Sequence, residues 1–206
     1  MKNLYDFDYY ERGVETGKSG YSNFRWIPEL TIPMCHTMIN LLGITDHHTI
    51  LDFGCAKGYV VKAMRLLHKN AWGVDISEYA ISKADADVKQ YLFLNNPELH
   101  NSEPYDWVIS KDVLEHIPYE NLKQVLDNIR SIGKNVFCAV PLGNGTSYNI
   151  PAYELDVTHI IREDMNWWCD RFKESGFEVV FKETKIKNLK ENYSDYKNGN
   201  GFFILK

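Results

Sequence analysis

No stretch of this 206-residue chain approaches the roughly 18 consecutive apolar residues that a membrane-spanning helix needs. The first ten residues, MKNLYDFDYY, lack the apolar centre of a secretory leader, so a cytoplasmic protein with no membrane span is expected. Cysteine is sparse and scattered. Cys35, Cys55, Cys138 and Cys169 form no C-x-x-C pair, which removes zinc-ribbon and thioredoxin-like spacings. Four thiols allow two disulfides by count, but the missing leader favours reduced, buried thiols. Basic charge is short as well. With 23 Lys and Arg against 28 Asp and Glu, the formal net charge is −5. Duplex nucleic acid, whose binding energy comes largely from phosphate neutralisation, is therefore not an expected partner. Internal repeats and low-complexity tracts are missing too. What remains is ordinary globular composition, 44% hydrophobic and 25% charged. That suffices for one full core in a domain of about 100–200 residues with some decoration.

Residues 1–27 mix aromatic residues and glycine without a sustained period and read as an arm or lid with one helical turn. Residues 28–206 form the main domain. Leu30, Met34, Met38, Leu41 and Leu42 recur at helical spacing over Glu29–Leu42, and Gly43 is a natural stop. The chain then alternates. Strands are expected at Thr49–Phe53, Ala71–Asp75, Tyr91–Leu94, Trp107–Ser110 and Asn135–Val140. Helices are expected at Tyr59–His68, after an N-cap at Ser77, at Glu120–Ser131 and at Glu163–Ser175. Glu178–Lys185 and Gly201–Leu205 read as a closing hairpin whose lysine-rich stretch, Lys182–Lys190, is expected to be a solvated edge. The pattern predicts an α/β fold: a mostly parallel, Rossmann-like seven-stranded sheet, helices on both faces, and a C-terminal antiparallel hairpin.

Three glycine-loop readings compete. Gly13-Val-Glu-Thr-Gly17-Lys18-Ser19 imitates a phosphate-binding loop but has three residues between its glycines instead of four, and no buried strand feeds it. A dinucleotide fingerprint starting at Gly54 would need glycines where Ala56 and Tyr59 stand, and Tyr59 would crowd the helix–strand contact that the third glycine permits. Leu51-Asp52-Phe53-Gly54-Cys55-Ala56-Lys57-Gly58 fits a third pattern, an acid followed by G-x-G-x-G with Ala56 in the middle place. It resembles motif I of the class I S-adenosylmethionine-dependent methyltransferases. Gly54 and Gly58 let the backbone turn sharply so that its N–H groups face the ligand at a helix N-terminus.

The resemblance covers most of the chain. Trp72-Gly73-Val74-Asp75-Ile76-Ser77 looks like the next family motif, whose acid takes both ribose hydroxyls because one carboxylate offers two acceptor oxygens to a vicinal diol. Asn95-Asn96 falls where many relatives place an acid or amide against the adenine. Lys111-Asp112-Val113-Leu114-Glu115-His116-Ile117 is similar to the segment after strand four, and Asp156-Val157-Thr158-His159-Ile160 to the C-terminal part of small-molecule and glycan methyltransferases. The resemblance implies S-adenosyl-L-methionine as cofactor and S-adenosyl-L-homocysteine as product. The cofactor-binding residues it implies are Asp52, Gly54, Cys55, Ala56, Gly58, Asp75, Ile76, Asn96 and Lys111, with Tyr10 and Arg25 of the arm. Tyr9, Tyr10 and Arg25 are expected to reach the cofactor's carboxylate or cover the substrate.

Methyl transfer from a sulfonium is an in-line displacement from an activated leaving group, so alignment and water exclusion carry much of the rate. A hydroxyl acceptor gains from a base within hydrogen-bond reach. Asp112, Glu115 and His116 stand at i, i+3 and i+4, the spacing of one helical face, and His159 comes from a separate loop. His116, His159 and Asp112 are the catalytic candidates. The loop Pro141–Tyr153, with Tyr148 and Tyr153, is expected to form the acceptor wall. Asp112-Val-Leu-Glu115-His116 with His159 also resembles the run with which plant small-RNA 2′-O-methyltransferases hold a divalent metal, aspartate replacing the first glutamate. That implies a metal set of Asp112, Glu115, His116 and His159, with a metal-free histidine base as the preferred reading. The leading expectation is a methyltransferase acting on a hydroxyl of a small molecule or glycan precursor. The alternatives are a protein or nucleic-acid methyltransferase, which would need an open basic groove, and a non-catalytic cofactor-binding module that regulates a partner. The sequence leaves the oligomeric state open.

Overall fold

The computed structural model describes residues 4–95 and 103–206. Seven strands make one sheet: β1 (Thr49–Phe53), β2 (Asn70–Asp75), β3 (Leu92–Leu94), β4 (Trp107–Lys111), β5 (Val136–Pro141), β6 (Val179–Glu183) and β7 (Asn200–Leu205). Their spatial order is β3-β2-β1-β4-β5-β7-β6. The first five strands run parallel, and β7 lies antiparallel between β5 and β6. The expected hairpin therefore exists, with its second strand wedged inside the sheet.

Side-chain alternation along the strands divides the core into two layers. Ile50, Ile109, Phe137 and Phe202 point to the face covered by α3 (Pro28–Leu42) and α4 (Tyr59–Leu66), where Cys35, Met38, Val61 and Met64 meet them. Their neighbours Leu51, Val108, Cys138 and Phe203 point to the other face, under α6 (Tyr119–Ile132) and α7 (Met165–Glu174), against Leu122, Leu126, Trp168 and Phe172. Pro28 begins α3, where its missing N–H costs nothing, and Gly43 at φ 62° ends it. Ser77 caps α5 (Glu78–Ser82) by accepting from Ala80 N. Asp164 caps α7 by accepting from Asn166 N and Trp167 N, so that helix begins two residues later than Glu163.

The arm is more structured than one turn. It folds as α1 (Phe7–Glu11) and α2 (Gly13–Thr16), and the glycine-lysine run that imitates a phosphate loop is partly helix α2 itself. Tyr9 and Tyr10 are buried in an aromatic cluster with Tyr5, Tyr21, Phe24 and Tyr79. All four cysteines are free and buried. Among the described residues, no helix is long and apolar enough to cross a membrane.

Candidate active site

The order β3-β2-β1-β4-β5 reverses direction between β1 and β4, and ligands in such sheets bind outside the carboxyl ends of the strands at that reversal. Those ends carry Asp52 on β1, Asp75 on β2 and Lys111 on β4. A cavity of about 600 Å³ opens there, within the usual range for a small-molecule site. Asp52, Gly54, Cys55, Ala56, Asp75, Ile76, Lys111, Asp112 and His116 line it, together with Tyr5, Tyr9, Tyr10, Tyr21 and Phe24 from the arm.

The turn after β1 requires its glycines. Gly54 sits at φ +85°, and a Cβ there would lie 2.3 Å from Val113 Cγ2. Gly58 sits at φ +78°, with Leu92 Cδ1 2.6 Å from a built Cβ. Ala56 also takes a positive φ, 48°. This bend delivers the Ala56 N–H to Asp75 Oδ2 at 2.7 Å, while Ser77 N donates to Asp75 Oδ1 at 2.7 Å. Each Asp75 oxygen thus holds one backbone donor and keeps a second lone pair, the arrangement a vicinal diol needs. Burial raises the Asp75 carboxyl above its ordinary value, against the pull of the backbone N–H groups of Ser77, Ala56 and Ile76. Asp52 is pushed up to about 7 by burial, with Lys111 opposing and Asp75 adding to the rise.

Beyond β4 the backbone departs from the expected helical face. Asp112 has φ 58°, and only Leu114–His116 form a short 3₁₀ turn. Asp112 stands outside the group that Glu115 forms with the histidines and is held by lysines instead. Its Oδ2 accepts from Lys111 Nζ at 2.5 Å, and its Oδ1 pairs with Lys190. Burial alone would raise the Asp112 carboxyl, but the two ammonium groups hold it well below the usual carboxylate range. Lys190 also donates to Tyr153 Oη at 2.9 Å, and its side chain is only 10% exposed. The expected solvated edge is thus wrong at Lys190. The loop between β6 and β7 turns back and carries that ammonium into the site.

Glu115, His116 and His159 do converge, each offering a ligand atom within 4.8 Å of the others. Glu115 is fully buried, both carboxyl oxygens lack a hydrogen-bond partner among the described residues, and burial with the nearby Asp112 pushes it up to about 8. His116 is pushed down to about 4 by burial and by His159, and burial also lowers His159. Both shifts favour the neutral imidazole. His159 Nδ1 lies 2.8 Å from the Tyr153 carbonyl, an acceptor only, so Nδ1 carries the proton and Nε2 is left basic. His116 Nδ1 contacts Thr158 Oγ1 at 2.7 Å. Of the four-residue metal set, three residues meet and Asp112 does not, because the two lysines already hold it.

The remaining expected residues are placed as follows. Tyr9 and Tyr10 both line the cavity, and Tyr9 donates its hydroxyl to Asp156 Oδ2 at 2.7 Å. Arg25 is exposed and does not line the cavity. Asn96 lies outside the described residues. Asn95 lines the cavity, its backbone N–H on the Asp75 carbonyl at 2.9 Å. Tyr148 and Tyr153 are buried, their hydroxyls spent on the Ile161 carbonyl and Asn200, so the loop Pro141–Tyr153 forms a small core of its own rather than a cavity wall. Lys190 and Thr158 were not anticipated as site residues. The only sequence signal for Thr158 was its place between Asp156 and His159.

A family model described as methyltransferase domain matches residues 33–193. A search of curated proteins finds no match. Among solved structures, a SAM-dependent methyltransferase from Archaeoglobus fulgidus aligns with TM-score 0.64 at 16% identity, over 87% of this chain and 96% of that one. Magnesium protoporphyrin IX methyltransferase from Synechocystis, solved with bound SAH, aligns with TM-score 0.63 at 12% identity, over 94% and 85%. The glycopeptide N-methyltransferase MtfA aligns with TM-score 0.60 at 10% identity, over 85% and 95%.

Proposed function

The chain belongs to the class I S-adenosylmethionine-dependent methyltransferases, and from that premise we propose that it methylates a hydroxyl oxygen of a small molecule or glycan precursor. S-adenosyl-L-methionine is its cofactor. In this reading Asp75 takes the ribose diol and the Gly54–Gly58 turn faces the methionine end. Asp52 and Lys111 set the charge beneath that turn. Residues 1–27 act as a lid over the domain formed by residues 28–206, excluding water from the displacement. His116 and His159 are the base candidates. One observation carries the assignment to oxygen: two half-buried imidazoles whose surroundings favour the neutral form meet at the cavity, His116 lining it and His159 beside His116, a provision that a neutral amine acceptor does not require and a hydroxyl does. Asp112 serves as an electrostatic anchor between Lys111 and Lys190. The relatives named above act on a porphyrin and a glycopeptide, so the fold itself leaves the acceptor open.

A second reading is favoured by Glu115, whose buried carboxyl oxygens lack a partner among the described residues. Glu115, His116 and His159 would hold a divalent ion, and such an ion lowers the pKa of an acceptor hydroxyl bound beside it. Both readings are tested by incubating the protein with methyl-tritiated S-adenosylmethionine and a panel of nucleotide sugars, oligosaccharides, phenols, amines, RNA and protein, with and without EDTA. Label on a hydroxylated small molecule or glycan, unaffected by EDTA, supports the metal-free reading, and loss of transfer in EDTA supports the ion. Label confined to amines, RNA or protein overturns the acceptor assignment. Cofactor binding without transfer to any of them, together with a stable complex with another chain, supports a regulatory module instead.

A further inference from the structure

We propose that Tyr9 of the amino-terminal arm is a positioning residue for the catalytic imidazole: its hydroxyl anchors Asp156, Asp156 holds Thr158, and Thr158 fixes His116 as the tautomer protonated on Nδ1. The inference rests on the reading of His116 as a base. Asp156 is buried, 6% exposed, and three donors converge on it. Tyr9 Oη donates to Oδ2 at 2.7 Å, and Thr158 donates to Oδ1 through its backbone N–H at 2.9 Å and its hydroxyl at 2.6 Å. With Tyr9 Oη, Thr158 N and Thr158 Oγ1 all donating to it, the Asp156 carboxyl is the acceptor at every one of these contacts.

The rest follows from proton counting. Thr158 has one hydroxyl proton, and it is committed to Asp156. Its oxygen has only lone pairs left for His116 Nδ1, 2.7 Å away, so the proton on that contact belongs to the imidazole. With Nδ1 protonated, Nε2 is the free base. The arm closes this chain from outside. Ser19 Oγ donates to the Tyr9 carbonyl at 2.6 Å and steadies the residue, while the Lys18 carbonyl accepts from Val157 N at 3.1 Å, between Asp156 and Thr158. Tyr5 sets its ring edge against His116, centroids 5.8 Å apart, and against Tyr9 at 5.0 Å. The arm that covers the cofactor cavity is thereby the element that completes the base, so seating the arm and readying His116 are one event.

The test reads the tautomer directly and needs no acceptor. The full chain is labelled with ¹⁵N-histidine, saturated with S-adenosylhomocysteine, and kept in EDTA so that no ion on Nε2 enforces the same state. Long-range ¹H–¹⁵N spectra then report which ring nitrogen carries the proton, with His116 assigned by its loss in His116→Gln. Wild type should show His116 protonated on Nδ1 alone. Thr158→Val should release it to a mixture, Tyr9→Phe should shift it toward the same mixture, and the double variant should go no further than Thr158→Val. Far-ultraviolet circular dichroism and a cooperative thermal transition matching wild type show that each variant is folded. A Tyr9→Phe spectrum that superposes on wild type while Thr158→Val departs would overturn the role of Tyr9 and leave the base reading standing. A wild-type His116 protonated on Nε2 would overturn the base reading itself. If Tyr9→Phe does not fold, Asp156→Asn takes its place, and an unchanged tautomer there overturns the chain.

Discussion

Asp52→Asn should remove a pH dependence of stability that one buried carboxyl imposes. Asp52 closes β1, is 4% exposed, and is raised by burial from 3.8 to about 7. Between those values the folded chain keeps a proton that the unfolded chain has released. Stability contributed by the protonated carboxyl is therefore complete below about pH 4 and lost progressively as the pH rises to about 7. One pKa unit corresponds to about 1.4 kcal/mol, so the loss has an upper limit on the order of 4 kcal/mol. Lys111 and the relaxation of nearby side chains keep the real figure below that limit. Asparagine has the same shape and no proton to lose. Urea unfolding of wild type and variant in parallel, from about pH 4.5 to about pH 8, isolates the group because all other carboxylates are common to both. The stability of Asp52→Asn relative to wild type should climb through this range and then level off. A difference that stays constant with pH would show that Asp52 ionises normally and that the floor of the cavity is wetter than its burial implies.

Two further outcomes follow from the same site. Asp75→Ala should weaken S-adenosylhomocysteine binding by about 1.5–3 kcal/mol, the range for losing hydrogen bonds to a charged group, with the fold retained; calorimetry giving wild-type affinity would place the ribose elsewhere. Lys190→Met keeps the aliphatic stem but leaves Asp112 with Lys111 alone, so denaturant unfolding should show a loss of about 1.5–3 kcal/mol, partly recovered in the double variant with Asp112→Asn. A loss that the double variant does not reduce would show that the ion pair is not what Lys190 contributes.

Much of the strand-and-turn geometry that lines the cavity was legible because its determinants are contiguous. The acid, the turn glycines and α4 occupy a single run from Asp52 to Leu66, and Asp75 ends the next strand, so local patterning carries the geometry. The mostly parallel sheet and its antiparallel close followed from the strand–helix alternation and the final hairpin, whereas the strand order comes from the structure. The acceptor side was less legible because its determinants are long-range. Nothing near Lys190 indicates that its ammonium meets Asp112, and a lysine run between two strands reads as solvated until the loop's path is seen. The positive φ of Asp112 breaks the i, i+3, i+4 logic of its segment, which local sequence does not report for a non-glycine residue. Tyr148 and Tyr153 looked like acceptor-binding aromatics, but aromatic residues next to glycines fill a small core as readily as they line a cavity. The chain from Tyr9 through Asp156 and Thr158 to His116 joins the arm to two separate segments, and only tertiary structure brings them together.

The proposed reaction requires the cofactor's reactive end and the two imidazoles to share one cavity. A crystal structure of the full chain with S-adenosylhomocysteine tests it most directly. The ribose hydroxyls should lie on the Asp75 carboxylate, the arm should be closed with Tyr10 over the ligand, and the sulfur should open toward His116 and His159 with room between for an acceptor hydroxyl. A sulfur facing away from both histidines, or a cofactor bound without contact to Asp75, would contradict it.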